Sequence, residues 1–261
     1  MDNYFGLLSR LTTQGDDVVT RGLNMKEIIN EHIFISESNF YSVDGIRDFD
    51  KVNKYLIGEL SWYFSGNTKV DGILRYSKFW DKIKNEDGTV NSNYGHSVFY
   101  KRNKHNSTQF DWAYKQLIKD EGSRQAIILY NDADYYFDAN KDFVCTQLQQ
   151  FLIRDNKLIS IIYIRSSDVI KGLTYDIPFW SIVQQQLLLR LKEVYPELEL
   201  GVLFINFGSV HIYESDLQLV NSMLKGNVKQ YYVKLKKELP LYNTQDWYEN
   251  KLNDYIEIIN K

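Results

Sequence analysis

One cysteine, three prolines and four histidines among 261 residues exclude several kinds of protein at the outset. A single thiol, Cys145, forms no intramolecular disulfide and is a poor start for a structural zinc site, which draws on several Cys or His residues. His32, His96, His105 and His211 show no paired metal spacing, and a zinc deaminase would need a Cys-x-x-Cys pair. No metal is expected. No stretch approaches the roughly 20 apolar residues of a membrane span, and Met1-Asp2-Asn3-Tyr4 lacks the basic segment and apolar run of a secretory signal. A cytoplasmic protein with a reduced thiol is the expectation. Neither the Walker pattern nor the dinucleotide glycine fingerprint occurs, which takes support from nucleoside-triphosphate and nicotinamide chemistry. A formal charge of -3 supplies no global basic field, so neither a nucleic-acid polymer nor a membrane is an expected partner.

What is present suits a globular protein. The composition is 44% hydrophobic, enough for a core, and no Pro/Gly/Ser-rich linker divides the chain, so residues 1–261 read as one domain. Val52, Tyr55, Leu56, Glu59 and Tyr63 fall on one face of a helix predicted from about Phe49 to Ser65 and ended by Gly66-Asn67. A second helix is predicted from roughly Pro178 to Val194. Strands are predicted at Ala126 to Tyr130, at Phe143 to Ile153 and Leu158 to Ile164 as a hairpin around Asp155-Asn156-Lys157, and at Leu200 to Phe207, Val210 to Tyr213 and Gln230 to Leu235. Strands clustered between long helices indicate a mixed α/β domain of the α+β class.

Glu59 inside an apolar stripe is a candidate for a carboxyl with a raised pKa, although a glutamate reaching solvent from the edge of the stripe fits the pattern equally. Cys145 alone reads as a small buried hydrophobe. The run Asp132, Asp134, Asp138 reads as a solvated loop rather than a cation site. Asp176 before Pro178 is compatible with a helix cap.

These residues acquire a second meaning together. Cys145, Arg165-Ser166-x-Asp168 and the Gly172-Leu173 step ahead of a helix resemble the core of the thymidylate synthase superfamily. Glu59-Leu60-Ser61-Trp62 resembles its Glu-Leu-x-Trp helix, Trp80-Asp81 its Trp-Asp pair, Tyr94-Gly95 its Tyr-Gly, Ser123-Arg124 the arginine segment that crosses its dimer interface, and His211-x-Tyr213 its His-x-Tyr strand. Within the superfamily, Asn91-Ser92-Asn93-Tyr94-Gly95, Phe143-Val144-Cys145-Thr146, Phe151-Leu152-Ile153-Arg154-Asp155 and Arg165-Ser166-Ser167-Asp168-Val169 are most similar to bacteriophage deoxycytidylate hydroxymethylases. Ordinary thymidylate synthases usually have Pro-Cys-His around the cysteine and an asparagine where Asp176 stands.

The resemblance implies a thymidylate synthase-like fold, with a central mixed sheet flanked by helices and a sheet-mediated homodimer. It implies that Cys145 adds to carbon 6 of dCMP, with a methylene group from methylenetetrahydrofolate going to carbon 5 and water completing 5-hydroxymethyl-dCMP. Glu59, supported by Tyr94, would organise that water, and Asp176 would select cytosine over uracil. Arg165 would lower the Cys145 pKa and, with Arg21, Ser166 and Arg124 from the other subunit, hold phosphate. His211 and Tyr213 would contact the sugar, and Trp80, Ile83 and Asp168 would lie toward the folate. The final residues, Tyr255 to Lys261, differ from the Val-terminated tail that closes over folate in thymidylate synthases, which weakens a reductive outcome. The rival readings are a dUMP-directed hydroxymethylase or methylase, a CMP hydroxymethylase, and a catalytically idle relative that binds nucleotide or a partner protein.

Overall fold

In the computed structural model, residues 4–35, 49–226, 231–241 and 244–260 are described. Helix α1 (Tyr4–Gln14) buries Tyr4, Leu7, Leu8 and Leu11 and leads into a hairpin of β1 (Asp16–Thr20) and β2 (Leu23–Ile35). Arg21 and Gly22 turn this hairpin at positive φ. None of these three elements was expected from sequence. The α1 stripe is only eleven residues long and has no acidic residue in its first turn, so the usual start signal is missing.

There follow α2 (Phe49–Ser65), α3 (Phe79–Ile83), α4 (Gln109–Lys119), β3 (Ile127–Leu129), β4 (Thr146–Arg154), β5 (Lys157–Asp168), α5 (Leu173–Leu191) and β6 (Glu199–Tyr213). The chain continues through α6 (Leu217–Lys225), β7 (Tyr231–Leu235), α7 (Gln245–Tyr255) and β8 (Ile256–Asn260). The predicted α2 bounds agree with the observed helix, and Gly66 closes it at φ +65°, a conformation that costs glycine little. Residue Gln230 of the last predicted strand lies outside the described residues.

Six strands form one mixed sheet in the order β1-β2-β6-β5-β4-β3, with β5 and β6 parallel and the other neighbours antiparallel. The β4–β5 hairpin turns on Asp155 and Asn156, both at positive φ, the geometry that a two-residue turn between twisted strands requires. One face of the sheet, including Phe151, Ile162, Ile164, Ile205 and Phe207, shares a core with Ile177, Phe179, Trp180, Val183 and Leu187 of α5. On the opposite face Tyr163 and Phe204 are 45% and 37% exposed, and Leu129 at the edge is 53% exposed, so a broad apolar surface remains uncovered within one chain.

Strand β4 starts at Thr146 rather than Phe143 and β5 runs on to Asp168 rather than ending at Ile164, and two further differences matter more. Helix α5 begins at Leu173, not near Pro178, so Asp176 lies in its first turns and does not cap a helix starting at the proline. The two strands predicted on either side of Gly208-Ser209 are one fifteen-residue strand, β6. Gly208 is not a turn residue there. A Cβ on it would stand 2.8 Å from the Arg165 carbonyl oxygen, so the absence of a side chain lets β6 run close beside β5.

Three successive buried glutamines of α5 tie the layers together. Gln184 donates to the carbonyls of Leu158 and Gly201, across the start of the β5–β6 pair. Gln185 donates to Val233 O and accepts from Leu235 N, while Gln186 does the same for the O and N of Leu239. Each of the last two amides satisfies a backbone donor and acceptor that would otherwise be stranded in the core. The segment from Ile256 to Asn260 is itself a strand, antiparallel to β7 in a separate two-stranded sheet.

Candidate active site

Cys145 immediately precedes β4, and its carbonyl accepts from Arg165 N on the neighbouring β5 at 3.0 Å. The Arg165 guanidinium folds back over the same loop. Its Nε donates to Val144 O at 3.0 Å, Nη2 donates to Phe143 O at 2.6 Å, and Nη2 lies 3.4 Å from Cys145 Sγ. Burial pushes the Cys145 thiol above its ordinary pKa. Arg165 and, more weakly, Arg21 pull it down, while Asp176 and Asp142 push it up. Arg165 therefore acts on the thiol in the expected direction, but desolvation outweighs it, and the free protein holds Cys145 as a thiol at neutral pH.

Two carboxyls lie near this loop, Asp176 half-buried and acting on the thiol, and Glu59 buried beyond it beside Asp176. Glu59 on α2 is pushed up to about 8, first by burial and then by Asp176, against a lowering hydrogen bond from Tyr55. Burial pushes Asp176 on α5 up to about 7. Both carboxyls are thus substantially protonated at neutrality, a state in which each can donate as well as accept a hydrogen bond. Tyr94 lies near Asp176 and Cys145, stacked on Tyr63 at 5.5 Å and edge-on to Tyr130 at 5.1 Å. Its hydroxyl accepts a long 3.5 Å contact from Thr146 N, and Asp176 and Cys145 both bear on its titration.

At the ends of the parallel strands β5 and β6, Asp168 and His211 are register partners. Asp168 Oδ1 accepts from Ile170 N and Lys171 N at 2.7 and 2.9 Å, while Oδ2 is buried without a partner. His211 Nδ1, Ser167 Oγ and Thr146 Oγ1 are also buried and unpaired. Such atoms cost about 1–3 kcal/mol each when left unsatisfied, so these four suit a polar ligand that would pair with them; others, such as Asn53 Oδ1 and Trp180 Nε1, lie elsewhere in the described residues. Burial lowers the His211 pKa, opposed by Asp168 and Glu27, and its ring meets Tyr213 edge-on at 5.0 Å. Tyr213 in turn feels Asp168, Lys171, Arg21 and Cys145.

The fold thus gathers Cys145, Glu59, Tyr94, Asp176, Arg165, Arg21, Asp168, His211 and Tyr213 into one neighbourhood. Trp80 joins it through its indole N–H, which donates to Tyr55 OH at 3.2 Å. Ile83 ends α3 and is half-buried, and Ser166 lies on β5 opposite Ser209. Arg124 is exposed; its carbonyl accepts from Gln150, and it is absent from the charges acting on Cys145. Asp132 and Asp134 of the acidic run form a short capped turn, with Asp132 paired to Lys101 at 2.5 Å.

Sequence reasoning missed three members. Tyr55 was read as one more apolar residue of the α2 stripe, although a tyrosine one turn before a buried glutamate is a signal. Asp142, whose Oδ2 accepts from Ser92 N and Oγ at 2.8 and 2.9 Å, carried no sequence mark beyond its closeness to Cys145, and Thr146 was marked only as part of the Val-Cys-Thr motif, with no role of its own.

Comparison with known proteins identifies the family. A family model described as Thymidylate synthase matches residues 2–258. A protein of Enterobacteria phage T6 named deoxycytidylate 5-hydroxymethyltransferase is 32% identical over 180 residues, covering 66% of this chain and 72% of its own. A deoxyuridylate hydroxymethyltransferase of Bacillus phage SP01 is 26% identical over 82% of this chain and 57% of its own, and a thymidylate synthase of Pseudomonas fluorescens (strain SBW25) is 25% identical over 88% and 86%.

Proposed function

Because the chain belongs to the thymidylate synthase family, whose members transfer one-carbon units to nucleoside monophosphates, we propose that it hydroxymethylates carbon 5 of dCMP. The observation that carries the choice of base is Asp176, a half-buried carboxyl whose pKa desolvation pushes up to about 7. Cytosine presents an acceptor at ring nitrogen 3 and a donor at its exocyclic amine. A protonated carboxyl matches both, giving its proton to the ring nitrogen and accepting from the amine. Uracil reverses both positions, and it is disfavoured when the carboxyl proton stays on the oxygen facing ring position 3, where donor would meet donor at a cost of about 1–3 kcal/mol or roughly ten- to hundredfold in selectivity. The name of the phage T6 relative favours the same base.

Cys145 is the nucleophile. Its sulfur forms a bond to carbon 6 as the thiol proton passes to solvent, carbon 5 becomes electron-rich enough to take up a one-carbon unit and then gives up its own hydrogen as a proton, and the carbon–sulfur bond breaks again to release the product and restore the thiol. When bound, methylenetetrahydrofolate supplies that unit. Asp168, with its unpaired buried Oδ2, suits a polar edge of the folate, and Trp80 and Ile83 offer apolar surface to it. The Trp80 N–H is already engaged by Tyr55, so Trp80 contributes its ring. Glu59 handles the proton of the water that completes the hydroxymethyl group, a task suited to a carboxyl titrating near neutrality, and Tyr94 lines the same space.

Arg21, Arg165 and Ser166 hold the phosphate, and His211 and Tyr213 hold the sugar. Arg124 points to a two-fold dimer: exposed in its own chain, it reaches the phosphate of the other subunit across the uncovered sheet face. Incubation with methylenetetrahydrofolate and dCMP, dUMP or CMP, followed by mass measurement of the product, tests the proposal. Addition of one CH2O to dCMP is expected. A modified dUMP with dCMP unchanged overturns the choice of base, and a methylated product overturns the hydroxymethyl outcome.

A further inference from the structure

We propose that Tyr55 is a positioning residue that decides which oxygen of the Glu59 carboxyl carries the exchangeable proton. The inference rests on Glu59 being the proton-handling carboxyl, and it follows from the direction of a short hydrogen-bonded chain. Tyr55 and Glu59 are one turn apart on α2, on the same face. The Tyr55 hydroxyl donates to Glu59 Oε1 at 2.6 Å and accepts from Trp80 Nε1 at 3.2 Å.

An indole N–H can only donate, so the single phenolic proton has no use on the Trp80 side and points at Glu59. Oε1 is therefore held as an acceptor. A neutral carboxyl carries one proton, and on Oε1 that proton would oppose the phenolic one. It resides on Oε2, which becomes the oxygen that gives or takes a proton during reaction. Both ends of the chain are fixed by packing. Tyr55 lies edge-on to Tyr175, the neighbour of Asp176, at 4.7 Å, and Trp80 lies edge-on to Trp62 at 4.8 Å. The titratable groups facing Glu59 are Tyr55 and Tyr63 from α2 and Asp176 from α5. Of these, Asp176 raises the Glu59 pKa and the Tyr55 hydrogen bond lowers it.

The test is Tyr55→Phe, read by infrared difference spectroscopy of the protonated Glu59 carbonyl, a band identified by its loss in Glu59→Gln. The band should move to higher frequency as its hydrogen bond is lost. Its titration midpoint should rise by about 0.4–1.1 pH units, the equivalent of one net hydrogen bond. With dCMP, kcat should fall about tenfold while KM stays within about twofold, and the Glu59 limb of the pH profile should move upward with the infrared midpoint. Fluorination of the Tyr55 ring beside the hydroxyl makes the phenol a stronger donor and should shift the midpoint downward, which separates positioning from any loss of packing in the phenylalanine variant. An unchanged Glu59 band and midpoint in both variants overturns the proposal whatever the activity. Shifted bands in a protein that turns over no pyrimidine nucleotide overturn the functional reading and leave the positioning role standing.

Discussion

At neutral pH Glu59 keeps most of its proton and Asp176 about half, because the fold withholds water from them, and this has a cost in stability with a definite sign. An unfolded glutamate ionises near pH 4.3, whereas Glu59 in the folded protein does so at about 8. Between those values the native state binds a proton that the unfolded chain has lost. Folding stability therefore falls with rising pH, by about 1.4 kcal/mol per unit from this group, and the loss is complete above the folded pKa. Glu59→Gln removes this slope. Thermal unfolding should show the variant close to the wild type near pH 4 and more stable at pH 8.5, with the gap widening steadily between. A gap independent of pH would show that Glu59 is not held neutral.

The residue scale is also where the sequence was most legible. Cys145, Glu59, Asp176 and Arg165 stand in recognisable company along the chain, and the fold brings them together. What could not be read was the balance of forces on each. Arg165 beside a thiol suggests a lowered pKa, but the burial that outweighs it depends on how the loop before β4 is covered. Tyr55 was visible as a residue and invisible as a hydrogen-bond donor, because its meaning depends on Trp80, 25 positions away.

At the scale of elements, helix α2 and the β4–β5 hairpin were legible because their signals are local, an apolar stripe closed by glycine and a two-residue turn. The start of α5 was misplaced because proline was taken as a first-turn residue, whereas Pro178 sits inside the helix. The break predicted in β6 has a different origin. Glycine in a strand signals either a turn or a close approach, and only the neighbouring strand distinguishes them. Gly208→Ala places a methyl 2.8 Å from the Arg165 carbonyl, between two paired strands with little freedom to part. A loss of about 1–3 kcal/mol in urea unfolding is expected. Because Arg165 belongs to the candidate site, nucleotide affinity should fall as well; a variant as stable as the wild type would mean that the strands separate easily. The glutamine clamps of α5 had no sequence signal at all, since three successive glutamines read as polar surface until the segments they hold are in place.

At the scale of the whole molecule, the uncovered face around Tyr163 and Phe204 is the feature a single chain leaves unexplained. Apolar sheet faces of this kind are usually covered by a partner, and a two-fold arrangement would give each subunit's Arg124 a site to complete. The exposed Arg124 then has a genetic consequence. In such a dimer Cys145→Ser would disable the site that contains it, whereas Arg124→Glu would disable the site across the interface. Each variant alone would form dimers with two defective sites. In a hybrid of the two, both defects fall on one site and the other is left whole. Unfolding and refolding an equal mixture of the two inactive proteins should therefore restore roughly a quarter of wild-type activity. A mixture as inactive as its parents would mean that Arg124 serves its own chain or none, so mixing two dead proteins reports where one arginine works.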